Sequence, residues 1–186
     1  MDNNWFNNYL DRYRDSIFNN NIINELTKLQ FSLERASSNG KKTMLMGNGA
    51  SASFASHVSV DLSKAAGIRA TCFNEANLIT CLANDYGYEN WMAKAIEIYH
   101  DEGDNVILIS SSGKSPNVLQ AGKMAKELNL NVITFSGFDT TNPLKSIGDL
   151  NFWVDSRSYN IVENTHQIWL LAACDAIIGN AEYSAN

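Results

Sequence analysis

Five short apolar runs, separated by longer segments with helical spacing, constrain the fold of this 186-residue chain more than any other feature. Strands that alternate with helices predict βαβ units and a parallel sheet. Because the runs are apolar almost throughout, we expect strands that are covered on both faces. The runs are "TMLMG" (43–47), "IRATCF" (68–73), "NVILIS" (105–110), "NVITFSG" (131–137) and "NFWVD" (151–155). The sequence therefore predicts an α/β fold, a three-layer αβα sandwich around a five-stranded parallel sheet.

The first forty residues carry apolar side chains three or four positions apart, which predicts helix. The run "FNNNII" interrupts this spacing midway, so one helix or two fit the pattern. We expect an N-terminal helical arm over residues 1–40 and the α/β unit over residues 41–186, together forming one structural domain. The last helix, in "NIVENTHQIWLLAACDAIIGN", is expected to end at Gly179.

Composition excludes several classes of protein. The net charge is −6 and no long basic run is present, which argues against binding nucleic acid or an anionic membrane surface. The longest apolar runs are too short to cross a bilayer. Cys72, Cys81 and Cys174 are odd in number and have no C-x-x-C spacing, so we interpret them as buried thiols. With no signal-peptide pattern at the N-terminus, we expect a cytoplasmic protein.

Two loops follow predicted strands and lead into predicted helices: "GNGAS" (47–51) and "SSSGKS" (110–115). In open parallel sheets, ligands bind beyond the carboxyl ends of the strands. Glycine allows close approach of the backbone, and the N–H groups at a helix start favour an anion. Ser115 is expected to cap the second helix, with Pro116 in its first turn. Two such loops in one sheet favour a phosphate-binding site.

The second loop also imitates the end of a Walker A motif, in Gly113-Lys114-Ser115. The glycine that should open such a motif is replaced by Leu108, which lies within a predicted strand. We therefore expect no nucleotide cofactor, and we assign phosphate binding to the serines instead of Lys114.

Three segments in this order and spacing, "GNGAS", "LANDYGYEN" and "ISSSGKSPNVLQA", resemble the sugar isomerase (SIS) domain family. Within it the chain is similar to the phosphoheptose isomerases, which interconvert sedoheptulose 7-phosphate and a heptose 7-phosphate. The resemblance covers roughly residues 30–180. It implies a flavodoxin-like sheet and a homotetramer whose active sites are shared between subunits. It also implies that a phosphorylated sugar is the ligand.

The resemblance assigns binding roles to residues of all three segments. Asn48 and Ser51 are expected to line the sugar, and Asp85 is expected near its hydroxyl groups. The phosphate is expected on the serine loop, defined here as residues 110–115, and specifically on Ser110, Ser111, Ser112 and Ser115.

The catalytic positions match less evenly. His57 stands at the family's first histidine, and Asp61 at the glutamate four residues later. Glu163 occupies the position of a glutamine, and Leu171 that of a second histidine, which is one of the family's acid–base pair. The candidate catalytic residues are thus His57, Asp61 and Glu163, and the same three form a candidate zinc set. His166 could replace the missing histidine or lie at a subunit contact.

Two functions remain open from the sequence. The first is an aldose–ketose isomerase with Asp61 or Glu163 as base. The second is a non-catalytic SIS protein that binds a phosphosugar for regulation or scaffolding, as do replication-initiator-associating members. Leu171 favours the second function, whereas the retained His57, Asp61 and Glu163 favour the first, which we prefer.

Overall fold

The computed structural model describes residues 3–18 and 21–183. Its centre is a parallel sheet of five strands in the order β2-β1-β3-β4-β5, which is the flavodoxin-like order. The strands are β1 (Thr43–Gly47), β2 (Ala70–Cys72), β3 (Asn105–Ser110), β4 (Asn131–Gly137) and β5 (Leu150–Val154). The predicted fold class is therefore confirmed. β2 is shorter than its predicted run because it is an edge strand that pairs with β1 through three residues only.

Seven helices in the described residues surround the sheet. They are α1 (Asn3–Ile17), α2 (Ile22–Ser38), α3 (Ala50–Lys64), α4 (Ala76–Tyr86), α5 (Trp91–Tyr99), α6 (Pro116–Glu127) and α7 (Tyr159–Ile178). The "FNNNII" run separates α1 from α2, although Asn19 and Asn20 themselves lie outside the described residues. At the other end of the chain, Gly179 terminates α7 in the left-handed conformation, as expected.

Two apolar clusters, one on each face of the sheet, form the core. Helices α2, α3 and α7 cover the first face, where Leu45, Ile107 and Phe135 point outward from the strands. Helices α4, α5 and α6 cover the second face against Met44 and Val106. Neighbouring strand residues thus point to opposite clusters, which explains why the strand sequences are apolar at nearly every position.

The two N-terminal helices differ in how they join this core. α2 buries Leu29 and Leu33 completely or nearly so in the first cluster. α1 lies along α7, where the indole nitrogen of Trp169 donates a hydrogen bond to the carbonyl of Ile17 at 3.1 Å. Large apolar side chains on the outer side of α1 remain exposed, among them Trp5 and Leu10.

The prediction of three buried thiols is only partly correct. Cys174 is buried and Cys72 is half-buried, but Cys81 is exposed on α4. Within residues 3–18 and 21–183, every helix is too short or too polar to span a bilayer.

The connections after β1 and β3 leave the sheet on opposite faces. β1 leads to α3 on the first face, whereas its neighbour β3 leads to α6 on the second. This reversal opens a crevice between the two strand ends, which is where doubly wound sheets bind their ligands. The "GNGAS" loop and the serine loop lie on the two sides of that crevice.

Candidate functional site

A small cavity of about 130 Å³ lies between the two loops and the start of α7. It gathers most of the residues that the sequence singled out, from three separate parts of the chain. Its polar lining consists of Asn48, Ser51, Ser110, Ser111, Ser112, Ser115, Tyr159 and Glu163. The structure thus places six of the seven predicted substrate-binding residues around one cavity.

The shape of the serine loop depends on Gly113 and on a buried asparagine behind it. Gly113 has φ of +64°, and a Cβ at this position would collide with the Asn142 side chain. The Asn142 amide donates hydrogen bonds to the Asp139 carbonyl at 2.8 Å and to Ser136 Oγ at 3.1 Å. Because Asn142 is 1% exposed and held by these bonds, it leaves no room for a larger residue at position 113.

The hydroxyl groups of the serine loop differ in the hydrogen bonds that they make. Ser110 Oγ and Ser115 Oγ lie 3.1 Å apart, and Ser112 Oγ accepts a hydrogen bond from the Lys114 N–H at 3.2 Å. Ser111 Oγ, by contrast, is buried and makes no hydrogen bond of good geometry in the described part of the chain, although it lies close enough to the Glu163 carboxyl to lower its pKa. A buried hydroxyl that is poorly satisfied costs free energy, so this group can donate to a ligand oxygen.

The predicted capping role of Ser115 is wrong in its detail. Ser115 does occupy the N-cap position of α6 with Pro116 after it, but its hydroxyl makes no capping hydrogen bond. The hydroxyl turns instead toward Ser110, across the loop. It therefore contributes to the cavity and leaves the start of α6 uncapped by its side chain.

Lys114 points away from the cavity. Its ammonium group lies 3.1 Å from Asp139 Oδ2, and both side chains are largely solvent-exposed. In a Walker A loop the lysine would face the phosphates. The geometry agrees with the assignment of anion binding to the serines.

Asp85 lies outside the cavity. Its carboxylate is exposed and accepts a hydrogen bond from the neighbouring Asn84 amide at 2.8 Å. The residue of the "LANDYGYEN" segment that reaches the site is Tyr88, whose hydroxyl lies 3.3 Å from Asn48 Oδ1. The segment therefore contributes the Tyr88 hydroxyl to the surroundings of Asn48, and the expected role of Asp85 stays a prediction.

Glu163 brings a carboxyl group to the cavity from the beginning of α7. Partial burial raises the pKa of this carboxyl, while the nearby Ser111 hydroxyl lowers it in part. A carboxylate whose pKa is raised is a better proton acceptor than one in water. Tyr159, one turn earlier, places its ring beside the same cavity and packs edge-on against Phe138. No motif in the sequence marked Tyr159 as a site residue.

His57 and Asp61 both lie on α3, farther from its start than the cavity residue Ser51. His57 Nε2 is 3.2 Å from Asp61 Oδ2, and its Nδ1 is 3.3 Å from the Gln167 amide nitrogen. Burial, together with a smaller effect of the nearby Asp61 carboxylate in the same direction, raises the pKa of the Cys174 thiol to about 11. Asp61 therefore lies near Cys174. At 1.5 Å per residue, Cys174 lies roughly 16 Å beyond Glu163 along α7. Within one subunit, Asp61 therefore does not converge on the serine loop.

The three candidate zinc ligands do not form a metal site within one subunit. Among the residues that the structure describes, no group of three His, Cys, Asp or Glu side chains could hold a metal ion. His57 and Asp61 are paired, but Glu163 faces the serine loop instead of joining them. Within one subunit these three side chains therefore do not complete a zinc site, and zinc binding stays a prediction.

His166 cannot replace the missing histidine. It is fully buried, its Nε2 donates to the Ser136 carbonyl at 3.0 Å, and burial lowers its pKa to about 4. It therefore lies neither in the cavity nor at a subunit contact, and both earlier interpretations of His166 are wrong. Leu171, at the position of the expected histidine, packs against the first core cluster.

The fold and the site together define a doubly wound α/β protein with a serine-rich loop beside a cavity at the switch point of its sheet. Comparison with known proteins identifies the family to which the chain belongs. The SIS domain model matches residues 6–137, and the chain belongs to the SIS domain family. The match ends before α7, so family membership alone does not determine the roles of Glu163 and Leu171.

Individual relatives agree with this assignment. The chain is 33% identical over 151 residues to a phosphoheptose isomerase of Fusobacterium nucleatum, covering 78% of this chain and 77% of the relative. It is 36% identical over 146 residues to one of Campylobacter jejuni, covering 74% and 77%. The solved phosphoheptose isomerase of Neisseria gonorrhoeae superposes with a TM-score of 0.85 at 23% identity, over 92% of this chain and 94% of that structure.

Proposed function

We propose that this protein is an aldose–ketose isomerase of a sugar phosphate, with sedoheptulose 7-phosphate as the substrate to test first. The observation that carries the proposal is the position of Glu163. Its carboxyl group lines the same cavity as the serine loop, and burial raises its pKa. A phosphate site and a proton acceptor are the two parts that such an isomerisation needs.

The serine loop supplies the phosphate site in this proposal. The buried hydroxyl of Ser111 donates to a phosphate oxygen, and Ser110, Ser112 and Ser115 surround the remaining oxygens. The backbone N–H groups at the start of α6 add favourable dipoles. With the phosphate held there, the sugar chain extends toward Asn48, Ser51 and the start of α7.

Glu163 acts as the base in the proposed reaction. From the ketose, its carboxylate removes a proton from C1, and the electrons of that bond form the C1–C2 double bond of an enediol as O2 gains a proton. Glu163 then returns its proton to C2, and the O1 hydroxyl loses its proton to leave the aldehyde. Hydroxyl groups of Ser51 and Tyr159 line the cavity and are available to exchange protons with O1 and O2. The roles of His57 and Asp61 in this reaction stay predictions.

A second function is favoured by one specific observation. Leu171 fills the position of a family histidine with a side chain that packs into the core and cannot transfer a proton. A chain that retained only the phosphosugar site would serve as a non-catalytic regulatory or scaffold protein. Such a protein would still bind the sugar phosphate but would not convert it.

Assembly and location complete the proposal. We expect a homotetramer with sites near subunit contacts, and exposed apolar side chains on α1 such as Trp5, Phe6 and Leu10 support an assembly. We also expect the protein in the cytoplasm, where sugar phosphates are produced and consumed.

Incubation of the protein with sedoheptulose 7-phosphate, with and without zinc, tests the function directly by NMR detection of the aldose. We expect turnover that falls at least ~10²-fold in Glu163→Gln while sugar-phosphate binding is kept. Asp61→Asn tests the other candidate base, and turnover that neither substitution lowers would refute both assignments. Absence of turnover together with ligand protection against thermal unfolding would support the binding protein instead.

The pH dependence of the rate gives a second criterion in the same experiment. Glu163 must be ionised to accept a proton, and burial raises its pKa above the ordinary value of 4.5. The rate should therefore fall as the pH falls through this raised pKa, so that the acid limb lies above pH 4.5. Activity that stays constant down to pH 4.5 would contradict the assignment of Glu163 as base.

A further inference from the structure

The amide of Asn48 is held by a network that reaches across the crevice. Asn48 Nδ2 donates to Asn117 Oδ1 at 2.9 Å, and Asn117 Nδ2 donates back to Asn48 Oδ1 at 2.9 Å. Asn117 is 2% exposed and lies in the first turn of α6, next to the serine loop. The pair thus joins the loop after β1 to the helix after β3, over 69 residues of sequence.

The backbone N–H of Val118 determines the orientation of the Asn117 and Asn48 side-chain amides. The Val118 N–H donates to Asn117 Oδ1 at 3.0 Å, so the oxygen of Asn117 must be on that side. The Asn117 nitrogen therefore faces Asn48, and the Asn48 oxygen accepts its hydrogen bond. The Tyr88 hydroxyl, 3.3 Å away, donates to the same Asn48 oxygen.

The remaining hydrogen-bonding capacity of Asn48 follows by counting. A side-chain amide offers two N–H donors and an oxygen with two lone pairs. Asn117 and Tyr88 fill both lone pairs of the Asn48 oxygen, and Asn117 takes one of its N–H groups. Asn48 can consequently present only one N–H donor to the cavity that it lines.

We propose that Asn117 and Tyr88 are positioning residues that orient Asn48 as a hydrogen-bond donor to an oxygen of the sugar. This inference rests on the proposed phosphosugar site and specifies how that site distinguishes a sugar phosphate from phosphate alone. β1 and β3 are adjacent strands, about 4.8 Å apart, so an anion on the serine loop is offset from Asn48 by one strand spacing. The group opposite Asn48 is then the carbon chain with its oxygens, and not the phosphate.

The test compares apparent dissociation constants for sedoheptulose 7-phosphate and inorganic phosphate, from ligand-dependent thermal unfolding. Asn117→Ala should weaken sugar-phosphate binding about tenfold and leave inorganic phosphate within about twofold, since one oriented hydrogen bond is lost. Asn48→Ala should weaken it similarly, and the double variant should bind no more weakly than Asn48→Ala alone.

Two further variants keep the test decisive if Asn117→Ala folds poorly. Tyr88→Phe removes one exposed hydroxyl and should weaken sugar-phosphate binding about two- to threefold, an effect that disappears in Asn48→Ala. Asn131→Ala, at the amino end of β4 and away from the cavity, removes another amide, which is bonded to Ser32 and Asn105, and should leave both affinities unchanged.

The outcomes separate this inference from the proposed function. Additive losses in the Asn48/Asn117 double variant, or equal weakening of inorganic phosphate, would overturn the positioning roles while the site itself stands. If the unsubstituted protein binds neither ligand, the phosphosugar site fails and the positioning roles fail with it.

Discussion

Burial acts in opposite directions on the pKa values of two side chains that lie three residues apart on α7. It raises the pKa of the Glu163 carboxyl and lowers the pKa of the His166 imidazole to about 4, because it disfavours the charged form of each group. Glu163 faces the cavity, where this makes it a candidate base. His166 faces the core, where it is a neutral hydrogen-bond donor to Ser136.

The lowered pKa of His166 predicts an acid-dependent loss of stability. The unfolded chain binds a proton at this residue below its ordinary pKa of 6.5, whereas the folded protein does so only near pH 4. The contribution to stability is therefore complete above pH 6.5 and is lost as the pH falls from 6.5 toward 4. By pH 5 the loss should be on the order of 2 kcal/mol.

Urea unfolding of the protein and of His166→Gln at pH 7.5 and pH 5 measures this effect. Glutamine can still donate to the Ser136 carbonyl but does not titrate. Between pH 7.5 and pH 5, the free energy of unfolding should fall by roughly 2 kcal/mol less in the variant than in the unsubstituted protein. Equal pH dependence of the two proteins would show that His166 does not titrate as the structure indicates.

Among the elements, the serine loop between β3 and α6 depends most strongly on one backbone conformation. Gly113 has φ of +64° and leaves no room for a Cβ next to Asn142. Gly113→Ala should lower the free energy of unfolding by at least ~2 kcal/mol, because strain and a steric clash add. It should also weaken inorganic phosphate binding at least tenfold, as measured by ligand-dependent thermal unfolding.

A second glycine provides the matched control for this prediction. Gly40 has φ of +70°, but nothing lies within 4 Å of a Cβ built there. Gly40→Ala should therefore cost only the backbone strain, on the order of 1 kcal/mol, and should leave phosphate binding unchanged. If both variants bind phosphate normally, the conformation of the serine loop does not determine the anion site.

At the scale of the whole molecule, the exposed surface of α1 carries several large apolar side chains. Trp5 is 59% exposed and Leu10 is 60% exposed, although α1 itself packs on α7. We expect this side to be covered in the proposed tetramer. Leu10→Asp should shift the protein to smaller species in sedimentation-velocity experiments, because a charge would be buried without a partner.

The control for this prediction is Leu10→Met, which keeps the apolar surface and should sediment like the unsubstituted protein. A Leu10→Asp variant that retains the full assembly would place the contact elsewhere. A monomeric unsubstituted protein would contradict the proposed tetramer itself.

Much of the fold was predictable because its determinants are local. Three predicted strands, at 43–47, 105–110 and 131–137, match the observed strands residue for residue. Apolar runs, helical spacing and terminating residues such as Gly179 act through near neighbours, so they can be recognised without knowledge of the packing. The serine loop was recognisable for the same reason.

The site could be predicted only where its residues belong to such local motifs. Asp85 was expected near the ligand, yet Tyr88 reaches Asn48 instead. Ser115 was expected to cap α6, yet its hydroxyl turns to Ser110. In both cases the motif indicated the segment, while the direction of the side chain depended on a partner from another part of the structure.

The amino-acid sequence by itself determined the alternation of strands and helices, the two loops at the strand ends and the resemblance to the SIS domain family. Only the tertiary structure decided that Glu163 faces the serine loop, that His166 lies in the core and that Asp61 lies beyond the cavity. The physical reason is that α7 is apolar around much of its circumference, so its sequence specifies a helix but not which face turns toward the sheet. That orientation is set by the packing of side chains that are distant in sequence, as in the contact of Trp169 with Phe152.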